Sequence, residues 1–158
     1  MIAVLQRVSG ASVCVDGLTV GACEAGLCVL LGVAKGDTEA DADALAAKTV
    51  GLRIFCDEDG KMNRSVTDVQ GGALVVSNFT LLADYSHGNR PSYFEAAAPA
   101  EAEALYTFFA DELKALVPLV EHGVFGADMQ ITMTADGPVT IVMDSDKLKK
   151  TGKGGSLA

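Results

Sequence analysis

Apolar and polar residues alternate along the first part of the chain, and this two-residue period predicts β-strands. The strands expected from it, with a nearly continuous apolar run as the fourth, are 2–8, 11–16, 18–23 and 27–33. The fourth, LCVLLGV, is apolar enough to be buried on both faces of a sheet. The chain therefore begins with a segment made only of strands.

Two later segments have the 3.6-residue period of amphipathic helices. Acidic residues fill the first turn of the helix expected in GDTEADADALAAKTVGLR (36–53), and Asp37 or Thr38 is suited to cap it. The second helix is expected from Pro99, which suits a first helical position, to Val117, which precedes another proline. The apolar stripes are Ala42, Leu45, Thr49 and Leu52 in the first helix, and Ala102, Leu105, Phe109, Leu113 and Leu116 in the second.

Further strands complete the order of elements. They are expected in RIFCDEDGK, in GGALVVSNFTLLA, and near 118–122, 128–134 and 138–144. Asp136-Gly137 predicts a turn between the last two strands. Because two helices are too few to cover both faces of one large parallel sheet, this order predicts an α/β fold: a three-layer α/β/β single domain with two main helices and two packed mixed sheets.

The size and composition of the chain fit such a domain. Its 158 residues are 49% hydrophobic and 21% charged, which is typical of a globular protein with a substantial core. We expect the domain to span 1–146, followed by a basic, Gly-rich and flexible tail at 147–158. No apolar run approaches the ~20 residues that span a bilayer, and the N-terminus lacks a secretory signal pattern, which predicts a cytoplasmic protein.

The sequence predicts no metal site and no cofactor. Neither of its two histidines lies in a metal-ligand pattern. A dinucleotide-binding G-x-G-x-x-G and a P-loop are both missing. The cysteines lack C-x-x-C spacing and lie in strand-like contexts, so we expect buried free thiols. They are Cys14, Cys23, Cys28 and Cys56.

The stretch VVSNFTLLA places polar residues inside an apolar run. Ser77, Asn78 and Thr80 would cost free energy if they were buried without partners, so they are candidate functional groups. In a strand, Ser77 and Phe79 point to one face, and Asn78 and Thr80 to the other. The sequence supplies neither a G-x-S-x-G elbow nor the spacing of a triad to activate a hydroxyl. We therefore expect the stretch to position and polarise a substrate.

The formal net charge of −9 restricts the partners of this protein. It counts against extended binding to duplex DNA, which depends on many phosphate contacts. It permits binding to the tip of a nucleic acid, where few phosphates are contacted.

Seven segments, taken in order, resemble the D-aminoacyl-tRNA deacylases over roughly residues 1–145. They are AVLQRVSGASVCV, GLCVLLGVAKGDTEADADALAAK, GLRIFCDEDGKMNRSV, SNFTLLAD, NRPSY, FGADM and DGPVT. The resemblance implies hydrolysis of the ester bond of D-aminoacyl-tRNA, with glycyl-tRNA mischarged on tRNA-Ala as a further substrate. It implies a homodimer of three-layer subunits with active sites at the subunit interface. The alternative is a non-catalytic module of the same fold that binds nucleic acid or protein.

The resemblance also implies roles for individual residues. Ser77, Asn78 and Thr80 fall on the family's catalytic stretch, with Asn78 in place of the usual glutamine. Phe79 is expected to back or stack on the terminal adenine of tRNA. Attack on the ester is assisted by the 2′-hydroxyl of the terminal ribose, with backbone donors holding the oxyanion. The alternative is Thr80 as a covalent nucleophile.

A second group of residues is implied to select the chirality of the substrate. The family's Gly-Pro bond, which is cis and enters the partner subunit's pocket, falls on Gly137 and Pro138. Asp136 precedes it where the family has asparagine. Arg7 matches the arginine that braces this turn, and Met129 matches a methionine of the pocket wall. Carbonyl groups that hold the substrate's ammonium would reject L-amino acids by steric exclusion.

Overall fold

The structure is a computed structural model of the chain, and it describes residues 1–151, with side chains as far as Lys149. The strands are β1 (Ile2–Val15), β2 (Leu18–Cys23), β3 (Gly26–Gly32), β4 (Phe55–Cys56), β5 (Met62–Arg64), β6 (Gly72–Ser77), β7 (Leu119–His122) and β8 (Gln130–Asp144). The helices are α1 (Glu39–Gly51), a 3-10 helix (Phe79–Leu82), α2 (Pro99–Lys114) and α3 (Ser145–Thr151).

Six of the strands are hydrogen-bonded into one mixed sheet. Its order is β2-β1-β3-β6-β7, with β8 paired along β1, while β4 and β5 form a separate two-stranded sheet. A Cβ at Gly21 in β2 would lie only 2.8 Å from the His122 carbonyl oxygen in β7, so the two ends of this order approach each other. The mixed α/β single domain is confirmed. The two packed sheets are not found, because the long strands form one sheet that curls almost into a barrel.

Two pairs of predicted strands are single strands in the structure. β1 covers both 2–8 and most of 11–16, and β8 covers the greater part of 128–134 and all of 138–144. The hairpin turn expected between two strands at Asp136-Gly137 is therefore wrong, because these residues form an irregular segment within β8. This segment, Asp136–Pro138, is called the Gly137-Pro138 turn below. Both halves of β8 pair with β1, and the register of that pairing shifts around Arg7.

Apolar side chains form one cluster on each face of the sheet. The cluster under α1 and α2 includes Leu5, Leu31, Val75, Phe109 and Leu113. The cluster inside the curl of the sheet includes Val8, Val13, Cys28, Leu74 and Val76. Because successive residues of a strand point to opposite faces, β6 contributes to both clusters, and its end is held rigidly from two sides.

The cysteines are free thiols, but only two of them are buried. Cys23 and Cys28 lie in the core, Cys14 is half-buried and Cys56 is exposed. Burial raises the pKa of Cys28 to about 12, so this thiol is protonated at neutral pH. The prediction is wrong for Cys56 because β4 belongs to the small outer sheet, a placement that an apolar local sequence does not reveal.

Both long helices begin where the sequence predicts. Thr38 is the N-cap of α1, and the Asp41 carboxylate accepts hydrogen bonds from the N–H and hydroxyl of Thr38 at 2.9 and 3.0 Å. Pro99 opens α2. The end of α2 differs from the prediction, since Leu116 lies beyond the last helical residue and is 51% exposed.

A third helix occupies the beginning of the segment that we expected to be a flexible tail. Lys149 of α3 lies 2.6 Å from the buried Asp41 carboxylate, so α3 is fastened to α1. Residues 152–158 lie outside the described residues, and the flexible tail stays a prediction for them.

We expect Asp41→Asn to lower the free energy of unfolding at pH 7 by roughly 2 kcal/mol. Burial by itself raises the pKa of the Asp41 carboxyl, but hydrogen bonds from Lys149 and Thr38 outweigh it and lower the pKa from 3.8 to about 2. A carboxyl with a lowered folded-state pKa contributes stability above its unfolded-state value, and the contribution disappears as the pH falls toward 2.

Urea unfolding between pH 7 and pH 2 measures this difference directly. The gap between the wild type and Asp41→Asn should close as the solution becomes acidic. Asp111→Asn, which removes an exposed partner of Lys114, is the control and should change little at any pH. A gap for Asp41→Asn that is constant over this range would contradict the assignment.

Candidate active site

The site begins where β6 ends. The strand stops at Ser77, and Phe79–Leu82 form a turn of 3-10 helix, so the predicted strand through SNFTLLA is wrong. The alternation of faces expected for residues 77 to 80 fails with it. The 3-10 turn directly follows β6, which is buried on both faces. The packing of β6 therefore fixes the position of the first residues of the turn.

Hydrogen bonds and a glycine hold this turn in place. The Asn78 N–H donates to the Leu31 carbonyl at 2.8 Å. The Thr80 hydroxyl donates to the Asn78 side-chain oxygen at 2.5 Å. A Cβ at Gly32 would lie 2.9 Å from the Asn78 carbonyl oxygen and 2.5 Å from a Leu82 methyl group. The turn therefore lies against the end of β3 at a distance that only a glycine permits.

A cleft of about 970 Å³ opens beside the 3-10 turn. Its polar wall comes from the turn itself, and most of the remaining wall is apolar. Of the predicted site residues, it brings together Ser77, Asn78, Phe79, Thr80 and Met129. An apolar cleft with a few converging polar groups is typical of a site for an organic ligand.

Aromatic residues line the cleft in two groups. At its exposed side, Phe79 is 58% exposed and packs edge-to-face against Tyr93, with ring centroids 5.1 Å apart. At its floor, the Tyr106 hydroxyl donates to the Val75 carbonyl at 2.8 Å, and the ring contacts Phe125. Burial raises the pKa of Tyr106, so it stays neutral. An exposed ring beside a polar turn is suited to stacking with a planar ligand.

The remaining predicted residues form a separate group on β1 and β8. Arg7 is 8% exposed, and its guanidinium donates to the Asp136 carbonyl at 3.1 Å and to the Ile54 carbonyl at 2.7 Å. The Asp136 carboxylate lies 3.3 Å from the same guanidinium. The Gly137-Pro138 bond is cis, as the resemblance implied. Arg7 thus fixes the backbone directly before this bond.

This second group does not line the cleft of its own chain. Gly137 and Pro138 are exposed on β8, whereas the 3-10 turn follows β6. The predicted site residues of this chain therefore lie in two separate places, the cleft and the Gly137-Pro138 turn.

Sequence reasoning missed several residues of the cleft. Lys35, Tyr93, Phe94, Tyr106 and Phe125 all line it. Tyr93 and Phe94 follow a polar loop and precede a helix, and their aromatic character was the available signal. Tyr106 and Phe125 gave no separate signal, since hydrophobic periodicity does not distinguish the floor of a cleft from the interior.

Two features of the described residues concern the predictions about metals and membranes. Within residues 1–151 of the structure, histidine, cysteine and acidic side chains do not gather in groups of three that could hold a metal ion. The helices in this part of the chain are too short or too polar to cross a bilayer.

A cleft with exposed aromatic rings beside hydroxyl and amide groups is typical of ligand-binding α/β proteins. The chain matches the D-Tyr-tRNA(Tyr) deacylase family over residues 4–144. It is 58% identical over 144 residues to the D-aminoacyl-tRNA deacylase of Ruegeria pomeroyi, covering 91% of this chain and 99% of that protein. It is 52% identical to that of Caldicellulosiruptor saccharolyticus, covering 94% and 99%. The chain belongs to the D-aminoacyl-tRNA deacylase family.

Solved structures have the same fold. The c-Myc DNA Unwinding Element Binding Protein superposes with a TM-score of 0.86 at 41% identity, covering 91% of this chain and 98% of that one. A structure described as a probable eukaryotic D-amino acid tRNA deacylase gives 0.77 at 15% identity, covering 90% and 98%. The second likeness concerns the fold alone.

Proposed function

We propose that the protein hydrolyses the ester bond of D-aminoacyl-tRNA and releases a free D-amino acid and tRNA. The observation that carries this proposal is the cleft beside the 3-10 turn, in a chain of the deacylase family. Since charged tRNA is the substrate, we assign the activity to the cytoplasm.

The cleft is suited to the terminal adenosine of tRNA. Phe79 offers an exposed ring on which an unstacked adenine can lie, and Met129 closes the apolar wall. Ser77, Asn78 and Thr80 then border the ribose and the ester. The N–H groups of Phe79 and Thr80 are the first of the 3-10 turn and have no acceptor within it. They are available to the oxygen that becomes negative during attack on the ester.

In this reaction a water molecule attacks the ester carbonyl carbon, and the bond between that carbon and the ribose oxygen breaks. The departing ribose oxygen takes a proton, and the neighbouring 2′-hydroxyl of the substrate assists the attack. The Thr80 hydroxyl supports this assignment, because it donates to an amide oxygen of Asn78, which is not a base. Thr80 therefore positions the ester and does not attack it.

We further propose that the enzyme is a homodimer in which the Gly137-Pro138 turn of one subunit enters the cleft of the other. Two observations support this. Gly137 and Pro138 are exposed, and within the described part of the chain the β8 edge facing away from β1 has no strand partner. A long open edge is usually covered. The turn would supply backbone carbonyls as acceptors for the substrate's ammonium group.

Chiral selection follows from this arrangement. When the ammonium and the ester are both held, an L side chain points into the wall and a D side chain points outward. Glycine has no side chain to reject, so glycyl-tRNA mischarged on tRNA-Ala is proposed as a second substrate. Selection in this form acts by exclusion and requires no contact with the D side chain.

The test is a deacylation assay with D-tyrosyl-tRNA, L-tyrosyl-tRNA and glycyl-tRNA-Ala. We expect rapid loss of the D ester and the glycyl ester and no acceleration of the L ester over buffer. Equal rates for the two tyrosyl esters, or no hydrolysis of either, would overturn the proposal.

The competing candidate is a nucleic-acid-binding module without catalysis. The specific observation in its favour is the name of the structural relative that binds a DNA unwinding element. The net charge of −9 opposes tight binding to duplex DNA. A gel-shift titration with duplex and single-stranded DNA, beside the deacylation assay, separates the two candidates.

Thr80→Ala should lower the single-turnover rate on D-tyrosyl-tRNA by about tenfold, because it removes a positioning group and leaves the backbone donors in place. Thr80→Ser keeps the hydroxyl and should stay close to the wild type. Mass spectrometry of the quenched reaction provides the check. An aminoacyl adduct on residue 80 would demonstrate a covalent nucleophile and refute the assignment.

A further inference from the structure

The ammonium group of Lys35 lies at the exposed rim of the cleft. Lys35 is exposed and lines the cleft, and its ammonium lies 3.2 Å from the centroid of the Phe94 ring. Among the described residues that line the cleft, the only other charged side chain is Asp128. Among the described residues, no carboxylate oxygen lies within 4.0 Å of the Lys35 ammonium, so Lys35 forms no ion pair there. The charge of Lys35 is therefore available to a ligand.

The backbone holds this cation in a defined place. The Lys35 N–H donates to the Glu95 carbonyl at 2.9 Å, and Ala34 and Ala96 form an isolated β-bridge. These two contacts tie the segment after β3 to the segment that carries Phe94. The cation–π contact then favours a position of the ammonium over the ring of Phe94, a residue that is 74% exposed. A lysine held in this way loses less conformational entropy when it binds an anion.

The chemistry of the substrate determines which group Lys35 can meet. The aminoacyl ester carries an ammonium group, which a lysine repels. The adenine and ribose are neutral, so the anions of an aminoacyl-tRNA are its phosphates. The protein carries 21 acidic against 12 basic residues, so its average surface repels these phosphates, and a single unpaired cation at the rim has a large local effect.

We propose that Lys35, positioned by Phe94, binds the phosphate that joins the terminal adenosine of the tRNA to the preceding nucleotide. The RNA strand then leaves the cleft past Lys35 and away from the carboxylate of Asp128. This inference rests on the proposed deacylase function and adds to it the direction in which the acceptor strand approaches. Lys35 thereby distinguishes tRNA from a bare aminoacyl nucleoside.

The experiment compares two substrates that share the ester and differ in phosphate. They are D-tyrosyl-tRNA and 2′(3′)-O-D-tyrosyl-adenosine, which has no phosphate. We expect Lys35→Met to raise KM for the tRNA about fivefold without changing kcat, and to leave KM for the nucleoside unchanged. The dependence of log KM on log salt concentration should become shallower by about 0.7 for the lost phosphate contact.

Matched variants separate the charge from other effects. Lys35→Arg keeps a cation and should retain the KM of the wild type. Phe94→Leu keeps an apolar side chain but loses the ring, so it should raise KM for the tRNA by less than Lys35→Met does. Lys114→Met removes an exposed lysine that does not line the cleft and should change neither substrate. An equal effect of Lys35→Met on both substrates, or no effect on the tRNA, would overturn the inference.

Binding of a CCA trinucleotide, measured by fluorescence anisotropy, tests the phosphate contact of Lys35 without requiring catalysis. If the wild type binds CCA about fivefold more tightly than Lys35→Met but hydrolyses no D ester, the phosphate contact stands and the deacylase function fails. If the wild type hydrolyses the D ester and Lys35→Met binds CCA equally well, the inference alone fails.

Discussion

Gly137→Ala is expected to lower kcat/KM for D-aminoacyl-tRNA on the order of 100-fold, as misplacement of a positioning element by about 1 Å does. Gly137 has a φ of +125°, which L side chains rarely adopt. A Cβ there would lie 2.9 Å from Val139 atoms and 3.2 Å from the Arg7 guanidinium. The backbone of the turn must therefore move, and the carbonyls proposed to hold the substrate's ammonium move with it.

The control for Gly137→Ala is Gly60→Ala. Gly60 also has a positive φ, of +76°, but a Cβ there meets no atom within 4 Å. Gly60→Ala should lower the free energy of unfolding, because alanine is unfavourable at a positive φ, and should keep the activity of the wild type. If Gly137→Ala remains folded and keeps the activity and the D-over-L ratio of the wild type, the turn does not select chirality.

Gly32→Ala is expected to reduce deacylation by a similar factor, on the order of 100-fold, through the opposite side of the site. The added Cβ would meet the Asn78 carbonyl oxygen at 2.9 Å and a Leu82 methyl group at 2.5 Å. The leucine can change its rotamer, but the carbonyl belongs to the backbone, so the 3-10 turn must shift. Overpacking of this kind also lowers the free energy of unfolding by about 1–3 kcal/mol.

Gly10→Ala is the control for Gly32→Ala, since it also adds a methyl group to a strand glycine but the nearest atom is 3.9 Å from the new Cβ. Activity and thermal unfolding are measured together. A Gly32→Ala variant with wild-type activity would contradict the assignment of the 3-10 turn to the site.

The two variants together test whether the site lies between subunits. A heterodimer of one Gly32→Ala and one Gly137→Ala subunit has one cleft with an intact 3-10 turn facing an intact Gly137-Pro138 turn, provided that the two come from different subunits. We expect such purified heterodimers to recover about half of the activity of the wild type. Without recovery, the site would belong to a single subunit.

Much of the fold follows from local patterns. The strand at 27–33 is recognisable because it is apolar throughout, and it lies in the core as β3. α1 and α2 are recognisable from their caps and stripes, since Thr38 and Pro99 mark their starts. The end of β6 was not recognisable, because FTLL is as apolar as a strand. Its 3-10 conformation depends on the contact with Gly32, which lies far away in the sequence.

The prediction of a hairpin turn at Asp136-Gly137 was wrong for a related reason. A local turn signal does not tell a hairpin from an irregularity within one strand; the difference lies in the pairing partner. The two halves of β8 both pair with β1 and not with each other. For the site, the polar residues of SNFT were evident as interruptions of an apolar run. Lys35 and Phe94 were not, because their contact joins two loops.

The pairing of β1 with β8 has a consequence for how the chain reaches its native state. Ile2, near the beginning, pairs with Asp144, near the end of the last strand. Loop-closure entropy must be overcome before such distant contacts add stability, so folding is slow compared with a helical domain of equal size. During synthesis, the edge of β1 that pairs with β8 has no partner until β8 has left the ribosome. Until then the nascent chain exposes an apolar strand edge, and such an edge makes an incompletely folded chain prone to aggregation.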